Sequence, residues 1–359
     1  MSARSFRLPP RPCALLLALA LPILLVLDVR VGSTGEHDLA TSLQGVAALL
    51  GFGEPLSGPM QTIVELRLWR ALTAAGVGAA LALSGALVQG LFRNGLAAPS
   101  ILGVTGGASL GATLAILALS GYAPALVLNV GDVGTATLLV PLFGFIGALT
   151  AVVLVTVLAS PGGRVSVPTL LLTGIAVNTC IAGVLSLISW MMLDDWEVSK
   201  AVLRWTFGTL DDRTAFHAAT VGSGLLVACL AVPFVAWELD LFAGGEQDAR
   251  ALGVSTGRVR AIAIAAAALS AAAAVSVAGQ IAFVGLVVPH VVRQLTGTSH
   301  RSLLPLSVLA GAVFLLGVDV LQRALLGDRA LQPGVMMSLV GGPFFLVLLA
   351  ANRREVESW

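Results

Sequence analysis

Charged side chains are scarce in this chain of 359 residues. Lysine and arginine number 20 and aspartate and glutamate 19, so charged residues make up 11% of the sequence, whereas soluble domains carry about 25%. Hydrophobic residues make up 57%, and the mean hydropathy is +0.96. Because a water-soluble domain must cover itself with polar groups, this composition excludes one. The formal net charge of +1 gives no indication of a nucleic-acid partner.

Residues that usually carry catalysis or bind metals are also few. The single lysine, Lys200, is followed by Ala201, so the Gly-Lys-Ser/Thr of a phosphate-binding loop is missing. No Cys-x-x-Cys spacing and no His-Glu-x-x-His pair occurs. We therefore expect a non-catalytic chain with no metal site and no cofactor of its own. The cysteines, expected to serve packing, are Cys13, Cys180 and Cys229. The cluster Glu36-His37-Asp38 is interpreted as an ordinary outer loop.

Apolar runs bounded by charge, proline or glycine dominate the sequence, and a membrane span takes about 20 such residues. They predict an all-α polytopic membrane protein with ten transmembrane helices, organised as a single domain over residues 1–359. The first run follows three arginines, but no small-residue cleavage site of a signal peptide follows it, so we interpret it as a span. The predicted spans are Ala14–Leu27, Leu66–Leu91, Ser100–Leu119, Leu138–Ala159, Pro168–Leu193, Phe216–Trp237, Arg260–Ala278, Ile281–Leu295, Leu303–Leu325 and Pro333–Ala351.

The basic residues predict the orientation of these spans. With the N-terminus in the cytoplasm, the inner segments collect a majority of the arginines, while most carboxylates fall outside and Asp319 lies within a span. The positive-inside rule therefore places both termini on the cytoplasmic side of the inner membrane. The main loops are then a cytoplasmic one at 238–260 and outer ones at 28–65 and 194–215. The inner arginines are Arg4, Arg7, Arg11, Arg93, Arg164, Arg250, Arg258, Arg260, Arg293, Arg301, Arg353 and Arg354.

Glycine and proline mark two further features. Gly103, Gly107 and Gly111 recur every four residues and predict a helix face that a neighbouring backbone approaches closely. Interruptions at 278–281, around Gly279, and at Pro289-His290 predict a short eighth helix. Broken helices at membrane depth are tolerated only beside protein or a water-filled cavity, which indicates a translocation pathway.

Four ordered motifs between Arg67 and Leu349 are more specific than hydropathy. Together they closely resemble the FecCD-type permeases, the membrane subunits of type II ABC importers for iron-siderophores, haem and cobalamin. The motifs are RLWR at 67–70 leading to QGLFRNGLAAP at 89–99, GEQDARALGV at 245–254, GQIAFVGLVVPHVVR at 279–293, and QPGV at 332–335 with GPFF at 342–345.

This resemblance implies a fold and a set of partners. It implies the type II importer permease fold, a ten-helix bundle of which two copies, identical or paralogous, enclose one pathway through the lipid. It also implies a cytoplasmic ABC ATPase dimer that holds ATP and Mg, and an extracytoplasmic substrate-binding protein. Among cargoes it favours ferric siderophores, with haem and cobalamin as alternatives.

The longest cytoplasmic loop carries apolar side chains beside charged ones, which suits binding in a groove of a partner protein. We expect two short helices there, separated by Gly253. The resemblance implies that this loop couples to the ATPase; a solvated loop is the alternative. The inherited coupling residues are Gly245, Glu246, Ala249, Leu252 and Gly253.

The resemblance further implies that Arg67, Arg70 and Arg323 dock the binding protein, since guanidinium binds carboxylates bidentately. Contact with lipid headgroups, or an i,i+4 pair between Arg323 and Asp319, are the alternatives. Trp69 replaces the usual proline between the first two arginines.

The inner gate is expected at Asn94, Ser166 and Val167, as two turns near the two-fold axis; simple turns are the alternative for Ser166 and Val167. Arg93-Asn94-Gly95 stands where relatives have Asn-Pro. A second hypothesis, from another class, is an ion-coupled carrier that uses Asp319 and His290; a third is an intramembrane enzyme.

Overall fold

The computed structural model describes residues 8–31, 38–120, 133–160, 167–327 and 330–351. Every regular element within these ranges is helical: α-helices and one short 3-10 helix at Pro99–Leu102. The α-helices are α1 Pro10–Arg30, α2 Leu39–Leu49, α3 Pro59–Phe92, α4 Val104–Leu119, α5 Val133–Leu158, α6 Val167–Met191, α7 Trp196–Thr206, α8 Ala215–Phe242, α9 Glu246–Ala251, α10 Thr256–Ala278, α11 Val284–Thr296, α12 His300–Leu326 and α13 Pro333–Ala351.

Each predicted span coincides with one of these helices, which confirms the all-α membrane architecture. Seven helices in the described ranges are long and apolar enough to cross a membrane: α1, α3, α5, α6, α8, α10 and α12. Helix α4 has 16 residues, α11 has 13, and α13 is counted among the shorter apolar helices. The count of ten crossings stays a prediction.

Two helices lie in segments that the sequence assigned to outer loops. Helix α2 lies between α1 and α3, and the amphipathic α7 lies between α6 and α8. Asp38 begins α2 as its N-cap and accepts a hydrogen bond from the Thr41 amide at 3.2 Å. The loop predicted at 28–65 is also too long at both ends, because α1 continues to Arg30 and α3 begins at Pro59. Proline suits a first helical turn, whose amide has no intrahelical partner.

Helices α3 and α10 form the centre of the bundle. In their most apolar segments 83% and 78% of the residues are buried, compared with 6% in α6. Small residues allow this central position, because they let neighbouring backbones come close. At Gly85 of α3, for example, a β-carbon would overlap the carbonyl group of Gly285 in α11. Helix α6 therefore leaves an apolar surface that the described residues do not cover.

The predicted glycine face of the third span is confirmed. Helix α4 packs against α5, and β-carbons at Gly107 and Gly111 would overlap the backbone carbonyls of Gly147 and Phe143. Gly103 lies just before α4 and adopts φ +85°, a conformation that favours glycine.

The two ends of the bundle are named by the predicted orientation. The outer end holds Arg30, Pro59 and Leu326, where α1, α3 and α12 meet. The inner end holds Phe92, Glu246 and His300. At the inner end Asp240, near the end of α8, accepts hydrogen bonds at 2.7 Å from the amide and from the Nδ1 of His300, so one carboxylate caps the start of α12.

Candidate functional site

The predicted coupling loop is a short helix held between two glycine turns. Helix α8 ends at Phe242, Gly245 adopts φ +126°, and α9 follows directly. After α9, Gly253 adopts φ +85°, its amide bonds to the Arg250 carbonyl at 2.9 Å, and the Val254 amide bonds to the Ala249 carbonyl at 3.0 Å. These two bonds form the glycine-terminated motif that commonly closes a helix.

The expectation of two short helices is wrong in its second half. The residues after Gly253 do not form a separate helix, because α10 begins at Thr256 and continues for 23 residues into the membrane bundle. The amphipathic pattern beyond Gly253 belongs to the first turn of this long helix, where polar residues reach the membrane surface before the apolar stretch begins.

Some of the predicted coupling residues are buried and others are exposed. Ala249 is fully buried and anchors α9 against the bundle, whereas Leu252 is 69% exposed. Gly253 is also exposed, and a β-carbon built there would meet no atom within 4 Å. The turn therefore presents an apolar side chain outward, which is the feature that a partner groove needs.

Glu246 ties this turn to α10. Its carboxylate accepts hydrogen bonds from Arg250 at 2.6 Å and from Arg260 at 3.0 Å. Partial burial acts to raise the pKa of Glu246, but the charges of Arg260 and Arg250 outweigh it and hold this pKa below its ordinary value. The carboxylate is thus ionised at neutral pH, and it fixes α9 relative to the first turns of α10.

The three predicted docking arginines lie together at the outer end, and each one contacts a carboxylate or carbonyl of this chain. Arg70 donates through Nε and Nη2 to the two oxygens of Asp319, at 2.9 Å each, and its Nη1 contacts Asp211. Asp319 also lies 3.1 Å from the guanidinium of Arg323. The alternative reading of an i,i+4 pair between Arg323 and Asp319 is therefore present in the structure.

Two of these arginines close the end of α1. Arg67 donates to the carbonyls of Val29 and Arg30 at 3.0 and 2.9 Å. Arg323 donates to the Val31 carbonyl at 2.6 Å and pairs with the carboxylate of Asp28. The last carbonyls of a helix lack intrahelical partners, so the two guanidinium groups satisfy them.

The outer cluster, which we define as Arg67, Arg70, Arg323, Asp28, Asp211 and Asp319, contains three arginines and three aspartates. Asp28 and Asp319 are 0% and 1% exposed, and Arg67 and Arg323 are 7% exposed each. The contacts between these arginines and aspartates offset part of the cost of burying charge. A cavity of about 510 Å³ opens beside the cluster and is lined by all three arginines and by Asp211. The docking role of the arginines stays a prediction.

The sequence reading missed Asp28 and Asp211 as partners. Both were assigned to outer loops, and they lie far along the chain from the arginines that they bind. Asp28 carried one signal, since it directly follows the apolar run of the first span. A carboxylate at that position needs a cationic partner if the helix continues past it.

The predicted helix break at Gly279 is confirmed. Helix α10 ends at Ala278, and α11 begins at Val284, after five intervening residues of which the last, Phe283, lies in the left-handed region at φ +66°. The freed backbone is enclosed by protein: Thr209 donates its amide to the Ala278 carbonyl at 2.8 Å, and Gln280 reaches Ser109 of α4 at 2.6 Å. A cavity of about 320 Å³ also borders this segment.

The interruption predicted at Pro289 and His290 is wrong, because α11 continues through both residues to Thr296. Proline lacks the amide that would bond to the carbonyl four residues earlier, here that of Gly285. Gln89 of α3 lies beside this carbonyl: its Nε2 donates to the Leu286 carbonyl at 3.1 Å and lies 3.5 Å from that of Gly285.

The predicted gate is only partly described. Asn94 forms the turn after α3. Its side-chain Oδ1 accepts a hydrogen bond from the Leu96 backbone amide at 2.8 Å, and its own backbone amide donates to the Gln89 carbonyl at 3.1 Å. Ser166 lies outside the described residues, as do Glu36 and His37. Val167 begins α6. The gate assignment stays a prediction.

The order of these elements matches a known family. Residues 20–351 match the FecCD transport family. The chain belongs to this family. It is therefore an integral, multi-pass protein of the inner membrane, and its family supplies the membrane permease components of ABC importers.

Curated relatives span most of the chain. The cobalamin import system permease protein BtuC of Halobacterium salinarum is 40% identical over 321 residues, which cover 87% of this chain and 79% of that protein. The hemin transport system permease protein HmuU of Yersinia pestis is 36% identical and covers 81% of this chain and 84% of its own length. The Fe(3+) dicitrate transport system permease protein FecD of Escherichia coli is 37% identical over a match that covers 81% of this chain and 86% of that protein.

A solved structure supports the fold. A metal-chelate type ABC transporter in an inward-facing conformation superposes with a TM-score of 0.77 at 29% sequence identity, covering 95% of this chain and 99% of the solved one. The type II importer permease fold implied by the motifs is thereby confirmed.

Proposed function

We propose that this chain is the membrane permease subunit of an ATP-driven importer that carries ferric siderophores across the cytoplasmic membrane. The exposed turn at Leu252 and Gly253 is the observation that supports the ATP-driven mechanism most directly. The buried Ala249 and the ion pairs of Glu246 hold the turn rigidly on α10. A partner that pushes on this turn would therefore move a central helix of the bundle.

The proposed assembly has three kinds of component. Two permease copies, identical or paralogous, enclose the pathway, and a cytoplasmic ATPase dimer binds ATP and Mg and grips the turn at Gly253. A substrate-binding protein delivers the cargo at the outer end. The permease does no chemistry itself. Both of its termini face the cytoplasm, as the distribution of arginines favours.

The cargo is proposed from chemistry that the relatives share. Their names include iron(III) dicitrate, hemin and cobalamin, all of which are metal chelates. Ferric siderophores are the proposed cargo. Cobalamin is the second candidate, favoured by the 40% identity to BtuC of Halobacterium salinarum.

A transport assay separates these cargoes. The permease, reconstituted in liposomes with its ATPase and binding protein, is offered labelled ferric siderophore, haem and cobalamin side by side. We expect ATP-dependent, vanadate-sensitive uptake of the ferric siderophore only. Uptake of cobalamin alone would show that cobalamin is the cargo and would leave the ATP-driven mechanism unchanged.

Uptake that stops only when an uncoupler is added would refute the ATP-driven mechanism and favour an ion-coupled carrier. The outer cluster argues against that carrier, because Arg70 and Arg323 neutralise Asp319.

A further inference from the structure

A large groove runs along the side of the bundle near its inner end. It has a volume of about 1090 Å³ and lies between α5 and α10, with Pro168 of α6 and α9 at its border. This size reaches the upper end of the range for ligand sites, about 300 to 1,000 Å³. Both walls belong to helices that are long and apolar enough to cross a membrane, so the apolar part of the groove lies at the depth of the bilayer.

The groove is apolar along its length and charged at one end. Val153 and Val157 of α5 are 60% and 65% exposed and face it together with Ala261 and Ala265 of α10. At its inner end the lining changes to Glu246, Arg250 and Arg260. The lining therefore matches a molecule with a long apolar part and a polar head.

The charged end carries two arginines and one glutamate. Arg250 and Arg260 share the single carboxylate of Glu246, which its low pKa keeps ionised. Two guanidinium groups thus meet one carboxylate here, and the Arg250 side chain is 59% exposed. Guanidinium groups bind phosphate well because they offer several donors in one plane.

We propose that this groove binds an anionic phospholipid. The acyl chains lie between α5 and α10, and the phosphate contacts Arg250 and Arg260. Basic residues between transmembrane helices at the membrane surface are suited to acidic headgroups. The bound lipid would fill the space between the coupling helix α9 and the bundle, so lipid composition would affect the part of the molecule that Glu246 holds in place.

Native mass spectrometry of the full-length chain, released from nanodiscs with equal amounts of phosphatidylglycerol and phosphatidylcholine, tests this proposal. We expect wild-type protein to retain phosphatidylglycerol preferentially. Arg260→Gln should lower that preference about fivefold, the effect of one basic residue near a membrane surface. Arg258→Gln is the matched control, since it removes the same charge from the first turn of α10 at an exposed residue that does not line the groove.

A second pair of variants tests the apolar part and leaves the charges unchanged. Ala265→Trp fills the groove and should reduce retention of lipid several-fold, whereas Ala18→Trp, on an exposed face of α1, should not. Equal retention of the two lipids by wild-type protein, or equal effects of Arg260→Gln and Arg258→Gln, would overturn the proposal. So would unchanged retention in Ala265→Trp. None of these measurements depends on the cargo or on ATP hydrolysis.

Discussion

Arg70 supports a carboxylate that is almost entirely removed from water. Its two hydrogen bonds to Asp319 join α3 to α12, and Asp319 is 1% exposed. Breaking a buried pair costs about 3 to 5 kcal/mol, and we expect Arg70→Gln to cost near the lower value because Arg323 remains beside Asp319. The measurement is the melting temperature of the purified chain in detergent.

The matched control for Arg70→Gln is Arg204→Gln, an exposed arginine that lines the same outer cavity. The double variant Arg70→Gln with Asp319→Asn should regain part of the lost stability, because it removes the uncompensated carboxylate. If Arg70 serves only to dock a binding protein, its replacement will weaken that association and leave the melting temperature unchanged, which would contradict the structural role.

Gly85 is a residue whose size, rather than its flexibility, is required. A β-carbon there would overlap the Gly285 carbonyl across the contact of α3 with α11. Gly85→Ala should therefore separate these helices and destabilise the protein by about 1 to 3 kcal/mol. Gly183→Ala in α6 is the control, since it meets no atom within 4 Å and should be neutral or slightly stabilising. Equal melting temperatures for the two variants would be evidence against the close packing.

At the scale of elements, helix α9 is the part that we expect to transmit force. Leu252→Ser removes the apolar side chain at its exposed end without touching the ion pairs of Glu246. We expect uptake to fall about tenfold or more, as for an anchor residue of an interface, while ATP hydrolysis by the partner continues. The measurement is the ratio of cargo transported to ATP hydrolysed in proteoliposomes.

The control for Leu252→Ser is Gln247→Ser, an exposed polar residue of the same helix. It should leave the transport ratio unchanged. The coupling assignment would be wrong if Leu252→Ser, or its combination with Glu246→Gln, also transported cargo normally.

The ion pairs of Glu246 make the stability of α9 depend on pH, and the pKa of Glu246 determines the direction of this dependence. The pKa of Glu246 lies below its ordinary value of 4.5, so the native state holds the ionised form more strongly than the unfolded state does. This contribution is complete above about pH 5 and is lost as the pH falls through the lowered pKa. The protection factors of the α9 amides, which correct for the intrinsic pH dependence of hydrogen exchange, should therefore fall below pH 4. In Glu246→Gln this loss of protection should be absent.

Elements with a strong apolar pattern could be predicted from the sequence, and those with a weak one could not. The ten predicted spans fall on helices because burial in lipid requires long apolar runs. Helices α2 and α7 were not predicted, because their short sequences mix polar and apolar residues as loops do. Pro289 suggested a break that does not occur: α11 continues through it to Thr296, and Gln89 of another helix lies beside the carbonyls of the preceding turn.

At the scale of the whole molecule, the uncovered surface of α6 predicts an assembly. Only 6% of its most apolar segment is buried, and we expect a second copy to cover part of it. Light scattering, corrected for detergent, should give about twice the chain mass of 36.5 kDa. Leu172→Trp on α6 should shift the protein towards monomer. Leu226→Trp on α8, at a similarly exposed leucine, should not. A monomeric wild-type chain would exclude the identical copy as the partner.

The functional residues were predictable to the extent that they form local motifs. The loop at 245–254 could be assigned from adjacent residues, and the structure places its turn on the surface. The outer cluster could not, because Arg70 and Asp319 are 249 residues apart, and the contact of Arg323 with Asp28 joins residues 295 apart. Only the folded bundle brings these charges together.

That long separation bears on how the protein is made. During synthesis Asp28 enters the membrane with the first helix, while Arg323 leaves the ribosome only after most of the chain has been inserted. Until then the carboxylate has no guanidinium from α12 to neutralise it, and Arg67 alone of the two arginines holds the end of the first helix. We therefore expect products that stop before α12 to be recognised and degraded by membrane proteases, so that joining the two ends of the chain acts as a checkpoint for complete synthesis.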